Sequence, residues 1–146
     1  MLTDNLTLAK QTLDLGKFTC VVVKDGNVLH RIQGVGVRPL LHLYQTHPQD
    51  LKGASVADKI IGKAAAVVLV LAGIHEAFGH VLSTPGSDFL KQHAIPAYGS
   101  QTVPQILNRS GDGICPLEQS VITCTDAKEG YRLLLSKVEQ LMQNKA

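Results

Sequence analysis

Ser55-Val56-Ala57-Asp58-Lys59-Ile60-Ile61-Gly62-Lys63 runs without a break into Ala64 to Gly73, a stretch free of charge. Ser55 with Asp58 three residues on has the form of a capping box, in which side chains satisfy backbone N–H groups that a new helix leaves open. The pattern predicts one helix that opens at Ser55 and is buried along its uncharged body. Its charged start puts an acid, Asp58, and two amines, Lys59 and Lys63, at the rim of a core, where α/β proteins hold ligands. Four residues apart on one helix, the amines share a face and repel by about 0.3 kcal/mol unless something negative lies between them. Asp58 is then an acid, a base, a ligand anchor or simply the cap. The lysines are ligand contacts or side chains reaching for water from a half-buried helix.

On the amino-terminal side of this stretch, Asp4 or Asn5 caps a first helix carrying Leu6, Ala9 and Leu13 at helical spacing, and Gly16 ends it. Phe18 to Val23 reads as a buried strand. Asp25-Gly26 is hairpin-turn chemistry, and Val28 to Ile32 is the returning strand. Pro39, Pro48 and Gly53 mark a long connection interrupted by the apolar residues Leu40 to Tyr44.

On the carboxyl-terminal side, Ala77 to Leu82 and Ile95 to Val103 read as strands around a short helix from Ser87 to His93, a crossover that favours parallel pairing. Pro116 opens a further short helix. Asp126 caps a last helix with the apolar stripe Tyr131, Leu134, Leu135, Val138, Leu141 and Met142.

The 146 residues fit one domain spanning 1–146, and a composition 45% hydrophobic and 18% charged belongs to a folded globule rather than a disordered chain. A formal charge of +2 with no block of Lys or Arg, and aromatics at 4% without Trp, argue against a nucleic-acid partner. Cys20, Cys115 and Cys124 are odd in number and lack zinc-finger spacing, which suits a reducing cytoplasm. No secretory signal opens the chain, and Ala64 to Ile74 is too short for the roughly 20 residues that cross a bilayer, so no membrane role is expected.

Three motifs invite chemistry. His75 and His80 are five residues apart, not the four that aim two imidazoles at one metal from a helix, and on a strand they would point to opposite faces. No metal is expected there. Gly34-Val35-Gly36 has Pro39 where a dinucleotide fingerprint needs glycine. Cys115-Pro116-Leu117-Glu118 is the sharpest of the three. Pro116 suits the first helical position, so Cys115 becomes the cap with its sulfur at the positive helix end, and Glu118 either handles protons or completes a box around Cys115. Asn108-Arg109-Ser110-Gly111-Asp112-Gly113, just before, is a donor-rich loop able to wrap an anion.

Taken together, Ala57-Asp58-Lys59, Gly62-Lys63-Ala64-Ala65-Ala66, Asn108-Arg109 and Cys115-Pro116-x-Glu118 resemble the uncharacterised bacterial family called domain of unknown function 1893, over nearly the whole chain. The resemblance implies a three-layer α/β/α cytidine-deaminase-like fold: a mixed sheet with an amino-terminal hairpin and parallel later strands. Zinc deaminases of that fold carry H-x-E or C-x-E at the second helix and P-C-x-x-C at the third. At the corresponding places stand Ser55 to Lys59 and Thr84-Pro85-Gly86-Ser87-Asp88, which supply no zinc set, so no cofactor is expected. The fold also implies that the helix starts near Asp58, Thr84 and Cys115 converge on the carboxyl rim of the sheet, and that copies of the chain associate into a homo-oligomer.

Two functions follow as expectations. In the first, the chain binds a small anionic or nucleotide-like molecule through Lys59, Lys63, Thr84, Asn108 and Arg109. In the second, it is a zinc-independent enzyme with Cys115 as nucleophile and Asp58 or Glu118 moving protons.

Overall fold

The computed structural model describes residues 2–143. Its elements in chain order are α1 (Asp4–Leu15), β1 (Cys20–Lys24), β2 (Asn27–Ile32), α2 (Arg38–Thr46), α3 (Pro48–Leu51), β3 (Ser55–Ile61), α4 (Lys63–Ala72), β4 (Glu76–Ser83), α5 (Thr84–Gln92), β5 (Ala97–Val103), α6 (Pro116–Ser120) and α7 (Ala127–Gln143). The strands form one sheet in the order β2-β1-β3-β4-β5. β1 runs antiparallel to both β2 and β3, while β3, β4 and β5 are mutually parallel. The sheet is thus mixed, with an amino-terminal hairpin and parallel later strands. Asp25 and Gly26 both take positive φ in the hairpin turn, as a turn matching strand twist demands.

Ser55–Ile61 is a strand, not the opening of a helix. Cα pairing joins Val56 to Val22 on one side and to Ala77 on the other, and Ser55, Val56 and Ala57 are buried. Pairing on both edges outweighs a local capping signature, because a central strand fills its backbone donors and acceptors from two neighbours. The Ser55 hydroxyl donates to Glu76 rather than bonding a helix start. The helix begins at Lys63, behind Gly62, and ends where Gly73 adopts a left-handed conformation (φ 71°) and donates to Leu69 O and Val70 O.

Other boundaries shift for local reasons. Thr3, not Asp4 or Asn5, caps α1, accepting from Leu6 N at 3.2 Å. The apolar run Leu40 to Tyr44 lies within helix α2, where Leu40, Leu41 and Leu43 are buried. α5 starts at Thr84 rather than Ser87, with Pro85 in its first turn.

The sheet divides the core. On one face α1 lays Leu6, Ala9 and Leu13 against Val21, Val23, Ala57 and Phe78. On the other, α4 packs with α5, α2 and α7 around it, and every residue from Ala64 to Leu69 is buried. Helices cover both faces and give three layers, with α7 against the outer side of α4. That contact is close: a Cβ on Gly130 would stand 2.8 Å from Cys124 Sγ and 2.9 Å from Val67 Cγ2. Among the described residues no helix is long and apolar enough to cross a membrane.

Candidate functional site

The parallel strands β3, β4 and β5 all end at one rim of the sheet, and α4 and α5 start there. The two starts press together. A Cβ on Gly86 would lie 2.8 Å from Gly62 C and 2.9 Å from Gly62 O, so only glycine permits this approach of backbone to backbone.

Each helix start is satisfied differently. At α5, the preceding Ser83 Oγ accepts from Gly86 N at 3.0 Å. At α4, Gly62 has no side chain to offer, and Glu118 from α6 fills the role. Its Oε1 accepts from Lys63 N at 2.7 Å and its Oε2 from Ala64 N at 2.8 Å. A side chain on Gly62 would overlap this carboxylate. Glu118 therefore closes no box around Cys115. Burial pushes its carboxyl up from the ordinary glutamate value, against the two N–H groups and the nearby Lys63 amine.

Lys63 itself turns toward the α6–α7 connection. Its Nζ donates to Ile122 O at 3.0 Å and Cys124 O at 2.6 Å and stands 5.5 Å from the centre of the Phe89 ring. Beside it opens a cleft of about 530 Å³ lined by Lys63, Thr84, Pro85, Asp88, Phe89, Gln92, Pro104 and the segment 122–125. Thr84, Asp88 and Gln92 recur every four residues and so share the cleft-facing side of α5. Thr123 and Thr125 add hydroxyls from across the cleft.

The residues singled out from sequence separate here. Lys63 and Thr84 line the cleft, and Asp58, Lys59, Asn108, Arg109, Cys115 and Glu118 do not. Lys59 lies on β3, where its backbone N donates to Thr19 O, so it shares no helical face with Lys63. Asn108 is engaged within its own loop, donating to Asp112 Oδ1 at 3.0 Å, and Arg109 is exposed. Cys115 precedes α6 without a side-chain cap bond. The described histidine hydrogen bonds go elsewhere: His30 to Asp50, His80 to Asp14, His47 to Thr46 and His93 to Phe89 O.

Asp58 faces Cys20 across the β1–β3 pair. Burial pushes its carboxyl up to about 7, although the N–H groups of Ile60 and Lys59 and the Cys20 thiol all favour the charged form. The same burial, and then Asp58, raise the Cys20 thiol well above its ordinary range. Glu76, a fully buried acid, opens β4 and accepts from Thr3 Oγ1 at 2.5 Å and from the Ser55 hydroxyl, which ties the cap of α1 to the sheet. Among the described residues no group of three His, Cys, Asp or Glu side chains is placed to hold a metal ion.

The model of the family described as a domain of unknown function (DUF1893) matches residues 8–138. Among solved structures, the chain is similar to a DUF1893 family protein from Thermotoga maritima, with a TM-score of 0.85 and 24% identity over 94% of this chain and 92% of that one. Coarser likeness extends to a dCMP deaminase from the cyanophage S-TIM5, at a TM-score of 0.45 and 14% identity over 65% of this chain and 93% of that one. RibD of Acinetobacter baumannii gives a TM-score of 0.44 and 19% identity over 90% of this chain and 38% of that one. No curated protein matches the chain.

Proposed function

The chain belongs to the DUF1893 family, a domain of unknown function, and from that premise we propose that it binds a small polar molecule with an anionic or carbonyl group in the cleft beside α5, with Lys63 as the anchor. The observation that carries this reading is the posture of the Lys63 amine. Two carbonyls hold it at the cleft wall, which leaves the third donor of the ammonium for a ligand. A cleft of about 530 Å³ falls within the size range of small-molecule sites. Thr84, Gln92 and Thr123 supply neutral donors and acceptors, and Asp88 suits an amine or hydroxyl on the same molecule.

Recognition then falls to α5 and the 122–125 segment rather than to the start of α4. There Glu118 already occupies the two N–H groups that an incoming anion would use.

A thermal-shift screen of nucleosides, nucleotides and metabolite acids tests it, since a ligand that binds only the folded state raises the melting temperature. The expected result is a compound whose affinity drops about tenfold or more in Lys63→Met and measurably in Gln92→Ala and Thr84→Val. Gln92 and Thr84 are exposed, so those two variants report on binding even if Lys63→Met folds poorly. Failure of every compound to shift melting, or a shift untouched in all three variants, rejects the cleft.

A further inference from the structure

The two edges of the sheet are built differently, and the difference concerns what can pair with them. The outer strand β2 carries His30 and Arg31, and the register of its pairing with β1 shifts between Val22 and Val23. Charge and irregularity are the devices by which an edge refuses another strand. β5, Ala97-Tyr98-Gly99-Ser100-Gln101-Thr102-Val103, has neither. It contains no charged residue and no proline, and it is exposed from Tyr98 through Thr102 on both faces. Its one paired neighbour among the described residues is β4.

We infer that β5 is the self-association edge of this protein, pairing antiparallel with β5 of a second copy to give a continuous ten-stranded sheet. Three features select a second copy as the occupant. An antiparallel pair of identical strands is self-complementary under a two-fold axis, so every outward N–H meets a C=O. With the axis at Ser100, Tyr98 of each strand lies opposite Thr102 of the other, an aromatic with a β-branched residue, and no like charges meet. A net charge of +2 per chain adds little long-range repulsion between copies.

The geometry also predicts where association stops. Pro96 and Pro104 flank the strand and lack backbone donors, which bounds the new ladder. Once the β5 edges are joined, both free edges of the long sheet are β2, with its charge and irregular register. The assembly closes as a dimer instead of growing into a fibre.

Sedimentation velocity across a low-to-high micromolar series tests this on the full chain. The expected particle has twice the 15.7 kDa chain mass, populated increasingly with concentration. Ser100→Lys sets two ammonium groups opposite each other at the axis and should raise the dissociation constant at least about tenfold while leaving the melting curve of the monomer unchanged. Ser100→Thr should retain the dimer. Amide exchange along β5 should slow as the wild-type concentration rises, and not in Ser100→Lys. A wild-type monomer at every concentration overturns the inference, and so does a dimer that survives Ser100→Lys with β5 amides exchanging at the monomer's rate.

Discussion

The starts of α4 and α5 lie against each other and solve one physical problem in opposite ways. Both helices leave first-turn N–H groups without intrahelical partners. α5 fills its need from the residue just ahead of it, Ser83. α4 fills its need from Glu118, 55 residues further along the chain. The first solution forms with the helix, whereas the second exists only when α6 has docked. The pair therefore shows a local and a tertiary cap at one rim, separated by a glycine-to-glycine contact.

Substitutions can test this contrast in order of size. Gly86→Ala strikes both starts at once, because its Cβ meets the Gly62 backbone and neither side can yield as a flexible side chain would. We expect a loss of about 3 kcal/mol in urea unfolding, the upper part of the range for overpacked sites. A loss under about 0.5 kcal/mol would show that the starts are not in contact.

Glu118→Ala leaves the Lys63 and Ala64 N–H groups without their acceptor, and about 2 kcal/mol should go. Glu118→Gln keeps one oxygen and should recover part of it. Equal losses for Ala and Gln would mean that the charge, not the hydrogen bonding, is what α4 uses.

The next effect depends on pH. Asp58 and Glu118 both hold their protons more tightly in the folded protein than in the unfolded chain. The folded state then binds more protons than the unfolded one above the ordinary carboxylate values, so stability falls as pH rises from there, and for Asp58 the fall ends near the folded value of about 7. A shift of this size corresponds to roughly 4 kcal/mol for an isolated group, which the half-buried position of Asp58 reduces to on the order of 1.5 kcal/mol. Urea unfolding from pH 4 to pH 8 should show that decline in the wild type and a flatter curve in Asp58→Asn. Ser83→Ala, the smallest change, should lower stability by about 1 kcal/mol at every pH, since no titrating group is involved.

The same contrast explains what could be read from the sequence. The hairpin was legible because Asp25-Gly26 states its turn locally, and β4, β5, α6 and α7 because each carries its own periodicity and punctuation. β3 was hidden by Ser55 and Asp58, whose spacing imitates a cap while their side chains belong to Glu76 and Cys20. The true start of α4 has only Gly62 to mark it locally, and its acceptor is remote. In the cleft, Lys63 and Thr84 stood out as residue types, but Asp88 and Gln92 did not, since they fall in line with Thr84 only once α5 is known to begin there. The Cys20–Asp58 pair was likewise out of reach, because it needs the antiparallel register of two strands separated by the hairpin and two helices.

One consequence of the remote cap concerns synthesis. A ribosome releases the segment that becomes α4 well before Glu118 has been added, so the nascent chain holds its most apolar helix with an unfinished end and without α7 across its back. Such a stretch exposes greasy surface while it waits, the condition in which chaperones engage and chains stick together. A chain released before α6 and α7 are complete should therefore be more prone to clump than the full-length chain.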